Sequence, residues 1–80
     1  MDNKLFNQKL YEHNINRTMF TLGTPPNDCM YTVQIRGERY EVYYFERGIK
    51  EYTAWFDNQG EALEYLLELL LADSRAKRKS

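Results

Sequence analysis

Between Tyr31 and Phe56 the chain alternates apolar and polar residues across two short interruptions, at Gly37 and at Gly48. Alternation of period two, broken by turn residues, restricts this stretch to strands of an antiparallel meander. The first turn fixes its own register. Arg36-Gly37-Glu38-Arg39 reads as a two-residue loop with glycine at the first central position, where a positive φ is tolerated. That pairs Ile35 with Tyr40, Val33 with Val42 and Tyr31 with Tyr44. At the second turn, a two-residue loop would set Tyr44 against Glu51. A type I turn with Gly48 as a bulge residue would instead pair Phe45 with Ile49, Tyr44 with Lys50 and Val42 with Tyr52. The bulged register is preferred because it keeps one face consistently apolar, and a one-residue slip would exchange the faces.

On that register the core face carries Tyr31, Val33, Ile35, Tyr40, Val42, Tyr44, Tyr52, Ala54 and Phe56. The second face mixes charges with Met30, Tyr43, Phe45, Ile49 and Trp55, clustered toward the Arg47-Gly48 end. Seven of the twelve Phe, Trp and Tyr residues fall between Arg39 and Phe56. A sheet that packs on one side needs only one apolar face, so the second aromatic set wants a cover. The first helix or the N-terminal segment, a recognition partner, or a second copy of the chain would each supply one. Tyr and Trp bury much area at little rotamer cost, which suits them to interfaces.

At 80 residues the chain has room for one domain with a modest core. A hydrophobic fraction of 42% beside 29% charged residues excludes a disordered chain. The single cysteine excludes an internal disulfide and fits a reducing compartment. Met1 to Leu10 carries charges throughout and has no apolar core of a signal peptide, and the apolar run Tyr65 to Ala72 is too short to span a bilayer. The expectation is therefore a cytoplasmic protein. The net charge of −1 hides an asymmetry: four of the eleven basic residues, Arg75, Lys77, Arg78 and Lys79, crowd into the last six positions. An acidic body then precedes a short basic tail. Such a body repels phosphates and attracts basic proteins, which argues against nucleic acid as the principal ligand.

The organisation is a single α+β domain over residues 1–74, with 75–80 as a frayed tail. Residues 3–13 place Leu5, Phe6, Lys9, Leu10 and His13 on one helical stripe. Arg17 to Leu22 alternates as a short strand, and the Gly23-Thr24-Pro25-Pro26-Asn27-Asp28 segment is a loop. The meander follows, and Asp57 suits the N-cap of a final helix running to about Asp73. The expected fold is thus an N-terminal helix, a meander of three to four strands, and a C-terminal amphipathic helix packed on the sheet. On that last helix Ala62, Leu63, Leu66, Leu67, Leu69 and Leu70 form the apolar face, and Glu61, Glu64 and Glu68 form a charged stripe. The stripe is either the wet side of an amphipathic helix or a phosphate mimic shaped for the basic groove of a nuclease.

Catalytic constellations are missing from the pattern. There is one histidine, His13, and one cysteine, Cys29, whose neighbour Asp28 does nothing to favour a thiolate. No metal-ligand spacing, phosphate loop or serine nucleophile motif occurs, so no enzyme activity, metal or cofactor is expected.

The segment Arg39-Tyr40-Glu41-Val42-Tyr43-Tyr44-Phe45-Glu46-Arg47-Gly48, then Trp55-Phe56-Asp57 and Glu61-Ala62 followed by Tyr65-Leu66-Leu67, resembles the small immunity proteins of bacterial polymorphic toxin systems. The resemblance covers Tyr31 to Leu70. It implies a cytoplasmic antitoxin that binds one cognate toxin domain, such as a nuclease, and blocks its active site or substrate groove. Tyr43, Phe45, Arg47, Ile49, Trp55, Glu61, Glu64 and Glu68 are the expected partner-binding residues, read from the second face and the acidic stripe. The competing readings are another small inhibitor, for instance phage-encoded, a homodimeric interaction module, and a single-strand RNA binder using Tyr43, Phe45 and Trp55.

Overall fold

The chain builds one four-stranded sheet whose strands lie in chain order, with both helices on the same side of it. These elements are seen in a computed structural model that describes residues 1–76; residues 77–80 of the expected tail lie outside the described residues. Helix α1 spans Asn3–Glu12, β1 Phe20–Leu22, β2 Met30–Arg36, β3 Arg39–Glu46, β4 Ile49–Phe56 and α2 Gln59–Ala72. The α+β architecture is the expected one.

Local chemistry sets the boundaries. The Asp2 carboxylate accepts the Leu5 N–H at 2.8 Å and starts α1. Helix α2 is capped by Asn58, whose side chain accepts the Glu61 N–H at 2.8 Å, one residue later than the expected Asp57. Asp57 instead faces Arg39, 3.6 Å away. The strand expected from Arg17 begins only at Phe20. Asn16 accepts from the backbone of Thr18 and winds Arg17–Met19 into a 3₁₀ turn before the chain extends.

Strand β1 runs parallel to β2, pairing Phe20 with Tyr31 and Leu22 with Val33. A parallel neighbour reached through residues 23–29 forces that loop across the sheet rather than around a hairpin. The Thr24 carbonyl accepts the Gln34 amide at 2.6 Å, and Thr21 and Thr32 share a hydroxyl bond at 2.6 Å. Those bonds satisfy the polar side chains of Thr32 and Gln34, which are buried on the side of the sheet away from the helices.

The β2–β3 hairpin has the expected register, with Tyr31 opposite Tyr44, Val33 opposite Val42 and Ile35 opposite Tyr40. The β3–β4 hairpin does not. Arg47 and Gly48 both take positive φ, 52° and 77°, the signature of a two-residue type I′ loop. Glu46 therefore pairs with Ile49, Phe45 with Lys50 and Tyr44 with Glu51. The irregularity sits further along, between Val42 and Tyr44 on β3, where Tyr52 takes φ 58° on β4. This bulge shifts the strand by one residue, so that Val42 meets Ala54 and Tyr40 meets Phe56.

The core lies between the helices and one face of the sheet. Ala62, Leu63, Leu66, Leu67 and Leu70 of α2 and Phe6 and Leu10 of α1 pack with Phe20, Tyr31, Val33, Val42 and Tyr44. Phe6 and Phe20 meet edge to face at 5.7 Å. The packed body extends past the expected boundary at 74. Ser74–Ala76 form a 3₁₀ turn, Ala76 is fully buried, and its carbonyl accepts the Asn16 N–H at 2.6 Å.

Candidate functional site

Over β3 and β4 the sheet face away from the helices is built as cations on rings, with its β3 side chains largely buried and Trp55 of β4 exposed. Tyr43 is buried at 5% exposure, with the Lys50 ammonium 4.7 Å from its ring centroid. Trp55 is 42% exposed, with the Arg39 guanidinium 5.2 Å above its ring. Between them Glu41 is almost completely buried. Its carboxylate meets Lys50 at 3.2 Å and Arg36 at 3.4 Å, both cations themselves about half exposed. A buried carboxylate flanked by two cations is satisfied and fixes their positions. Arg36, Arg39 and Lys50 thus gather on a face of a chain whose net charge is negative.

Tyr43, Phe45 and Trp55 share this face, with Phe45 half-buried and Arg47 in the adjoining turn. Trp55 lies opposite Glu41, away from that turn, so the three do not cluster at the Arg47-Gly48 end as expected. Ile49 does not join them. The type I′ loop pairs it with Glu46, so it belongs to the opposite face, as does Glu51. Glu61, Glu64 and Glu68 are exposed along α2 beside the Phe56–Tyr65 ring pair, on a surface separate from the aromatic face.

Glu51 leads instead to a second feature that sequence patterning missed. At the turn end of the sheet, a cleft of about 580 Å³ opens between β3, β4 and the C-terminus of α2. Tyr31, Tyr44 and Tyr52 wall it, with Tyr31 and Tyr44 at 4.7 Å and Tyr44 and Tyr52 at 6.5 Å between centroids. The Tyr31 hydroxyl donates to Asp73 at 2.9 Å, and Arg75 Nη2 reaches Asp73 at 2.8 Å and the Tyr44 hydroxyl at 3.0 Å. Tyr44 donates to Glu46 at 3.1 Å, and the Cys29 thiol donates to the same carboxylate oxygen at 3.2 Å.

This network moves its ionisable groups in consistent directions. Hydrogen bonds from Arg75 hold the Asp73 carboxyl down at about 2. Burial pushes the Tyr44 phenol up to about 12, and burial with the Asp73 bond raises Tyr31 as well. The bond to Glu46 raises the Cys29 thiol, which keeps it a neutral donor rather than a nucleophile.

No known family, curated protein or solved structure matches this chain. The site must therefore be read from its own chemistry. Among the described residues no group of three or more His, Cys, Asp or Glu side chains is placed to hold a metal ion, and His13 is an exposed helix C-cap. No helix there is long and apolar enough to cross a membrane.

Proposed function

We propose that this protein is an immunity protein, a cytoplasmic antitoxin that binds a cognate toxin domain, such as a nuclease, and neutralises it by covering its active site or substrate groove. The observation that carries the reading is the exposed Trp55, with the half-buried Phe45 on the same β3–β4 face, on which no helix among the described residues packs. Trp55, Phe45 and the Tyr43–Lys50 pair form a rigid surface, preorganised by Glu41, so docking there immobilises few additional side chains. The exposed stripe of Glu61, Glu64 and Glu68 supplies long-range attraction for a basic partner.

The experiment is co-expression pull-down with a toxin domain encoded beside this gene, followed by titration of toxin activity. Neutralisation should be complete at one equivalent, with affinity of about nanomolar or better. Full toxin activity at equimolar protein would end the reading. Replacing Glu61, Glu64 and Glu68 together by Gln should leave the fold intact, slow association and flatten its salt dependence.

A second reading, single-strand RNA binding, draws on the cations gathered beside Trp55 and Tyr43. It is weakened because the ring faces that would stack bases are already occupied by Arg39 and Lys50. Saturable quenching of Trp55 fluorescence by a uridine oligonucleotide at physiological salt would favour it over the antitoxin.

A further inference from the structure

The cleft at the end of α2 already holds one guanidinium, and it is the protein's own. Arg75 lies 5.5 Å from the Tyr44 ring centroid and bonds Asp73 through Nε at 3.1 Å and Nη2 at 2.8 Å. A ring face with a carboxylate at its rim is thus a working arrangement for a planar cation at this place. The β4-side wall of the cleft offers a ring and carboxylates again, with Glu46 linked to Arg75 only through the shared Tyr44 hydroxyl. Glu46 takes only neutral donors, Tyr44 and Cys29, and Glu51 has no ion-pair partner among the described residues. Tyr52, 60% exposed, stands beside them because the β4 bulge turns it into the cleft.

We propose that this wall is a binding site for a basic side chain, an arginine or a lysine, presented by a protein partner. The guanidinium would lie on Tyr52 and bridge Glu46 and Glu51, as Arg75 lies on Tyr44 and grips Asp73. Arginine fits better than lysine, because its planar fork both stacks on a ring and bonds two carboxylate oxygens at once. The site adds an anchor to the proposed toxin interface and rests on that reading for the partner's identity. The chemistry of the site stands apart from it.

The test uses the full chain, ¹⁵N-labelled, titrated through the millimolar range with acetyl-Gly-Arg-Gly-amide and with its neutral citrulline counterpart. The arginine peptide should give saturable shifts at the Glu46, Glu51 and Tyr52 amides, and the citrulline peptide should not. Glu51→Gln, an exposed change that leaves packing untouched, should weaken the arginine peptide about threefold, and the double variant Glu46→Gln/Glu51→Gln about tenfold. Equal shifts from both peptides, or an unchanged affinity in Glu51→Gln, would overturn the proposal. Toxin that escapes neutralisation while the arginine peptide still saturates these amides would count against the antitoxin reading alone. Tight toxin binding with no saturable peptide shift would remove the cleft site alone.

Discussion

Trp55→Ala and Tyr44→Ala, compared in one urea titration series, measure whether the second sheet face is open. Both side chains are large aromatics on neighbouring strands, yet their surroundings differ. Tyr44 is 3% exposed beneath α2, while Trp55 keeps 42% of its surface in solvent. Truncating Tyr44 removes roughly 100 Å² of buried surface at about 25 cal/mol/Å² and leaves a cavity, so the loss should be about 4 kcal/mol. It also strips a donor from Glu46 and an acceptor from Arg75. Truncating Trp55 removes surface that water can refill, without a cavity, and should cost about 1.5 kcal/mol. The readout is far-UV circular dichroism, because Trp55 is the only tryptophan and its fluorescence disappears with it. The slopes should match and the midpoints should differ. A Trp55→Ala loss as large as that of Tyr44→Ala would mean the face is covered, and would remove the basis for a docking surface there. A Trp55→Ala chain that folds normally should lose affinity for the proposed toxin partner by about 2 kcal/mol if the residue is a hot spot.

Three further outcomes follow from the same geometry. The Asp73 pKa lies below its unfolded value, so its contribution is full above about pH 4 and lost as pH falls toward about 2; discounted for a half-exposed Arg75, it amounts to about 1 kcal/mol, and acid titration of Asp73→Asn should lack that step. Tyr31 and Tyr44 have folded-state values above the unfolded one, so stability present below about pH 10 should fall as pH rises toward about 12, with a smaller fall in Tyr44→Phe by alkaline circular dichroism. Gly60→Ala should destabilise despite alanine's higher helix propensity, because the new Cβ would lie 2.8 Å from the Met1 nitrogen and 2.9 Å from its carbonyl oxygen; a raised thermal midpoint would contradict this.

The parts of the fold legible in sequence are those where a local signal and the global packing agree. Gly37 at the first turn position, with strict alternation on either side, sufficed for the β2–β3 register. The leucines of α2 sufficed for its buried face. The β3–β4 register was misread because it rests on two non-glycine residues at positive φ, Arg47 and Tyr52, which no residue preference announces. A Tyr44–Glu51 pair reads as a fault in a core face, yet there it faces the cleft. The parallel pairing of β1 was equally hidden, since the loop that permits it is held by tertiary bonds from Gln34 and Thr32. For the candidate site, Tyr43 and Phe45 share a face by alternation along β3, whereas Trp55 reaches that face only because the bulge at Tyr52 shifts β4 by one residue. The gathering of Arg36 and Lys50 around Glu41, with Arg39 on Trp55, cannot be read that way, because composition records only a net charge. The Arg75–Asp73 pair is local, but its bonds to Tyr44 and Tyr31 join residues far apart in the chain, which no local pattern announces.

The bulge at Tyr52 also governs how this molecule can meet others along its rim. Strand β4 is the last in the sheet, and its outer backbone groups are a template onto which another extended chain could zip. Tyr52 interrupts that template midway with a left-handed residue, and its carbonyl is already taken by the Tyr65 hydroxyl at 3.0 Å. What remains are two short stretches, 49–51 and 53–56, each too brief for a stable added strand. The opposite rim is β1, only three residues long. A sheet finished in this way resists end-to-end growth into filaments, so concentrated solutions should stay free of cross-β assemblies. The partner proposed above would dock on the flat of the sheet or at the cleft.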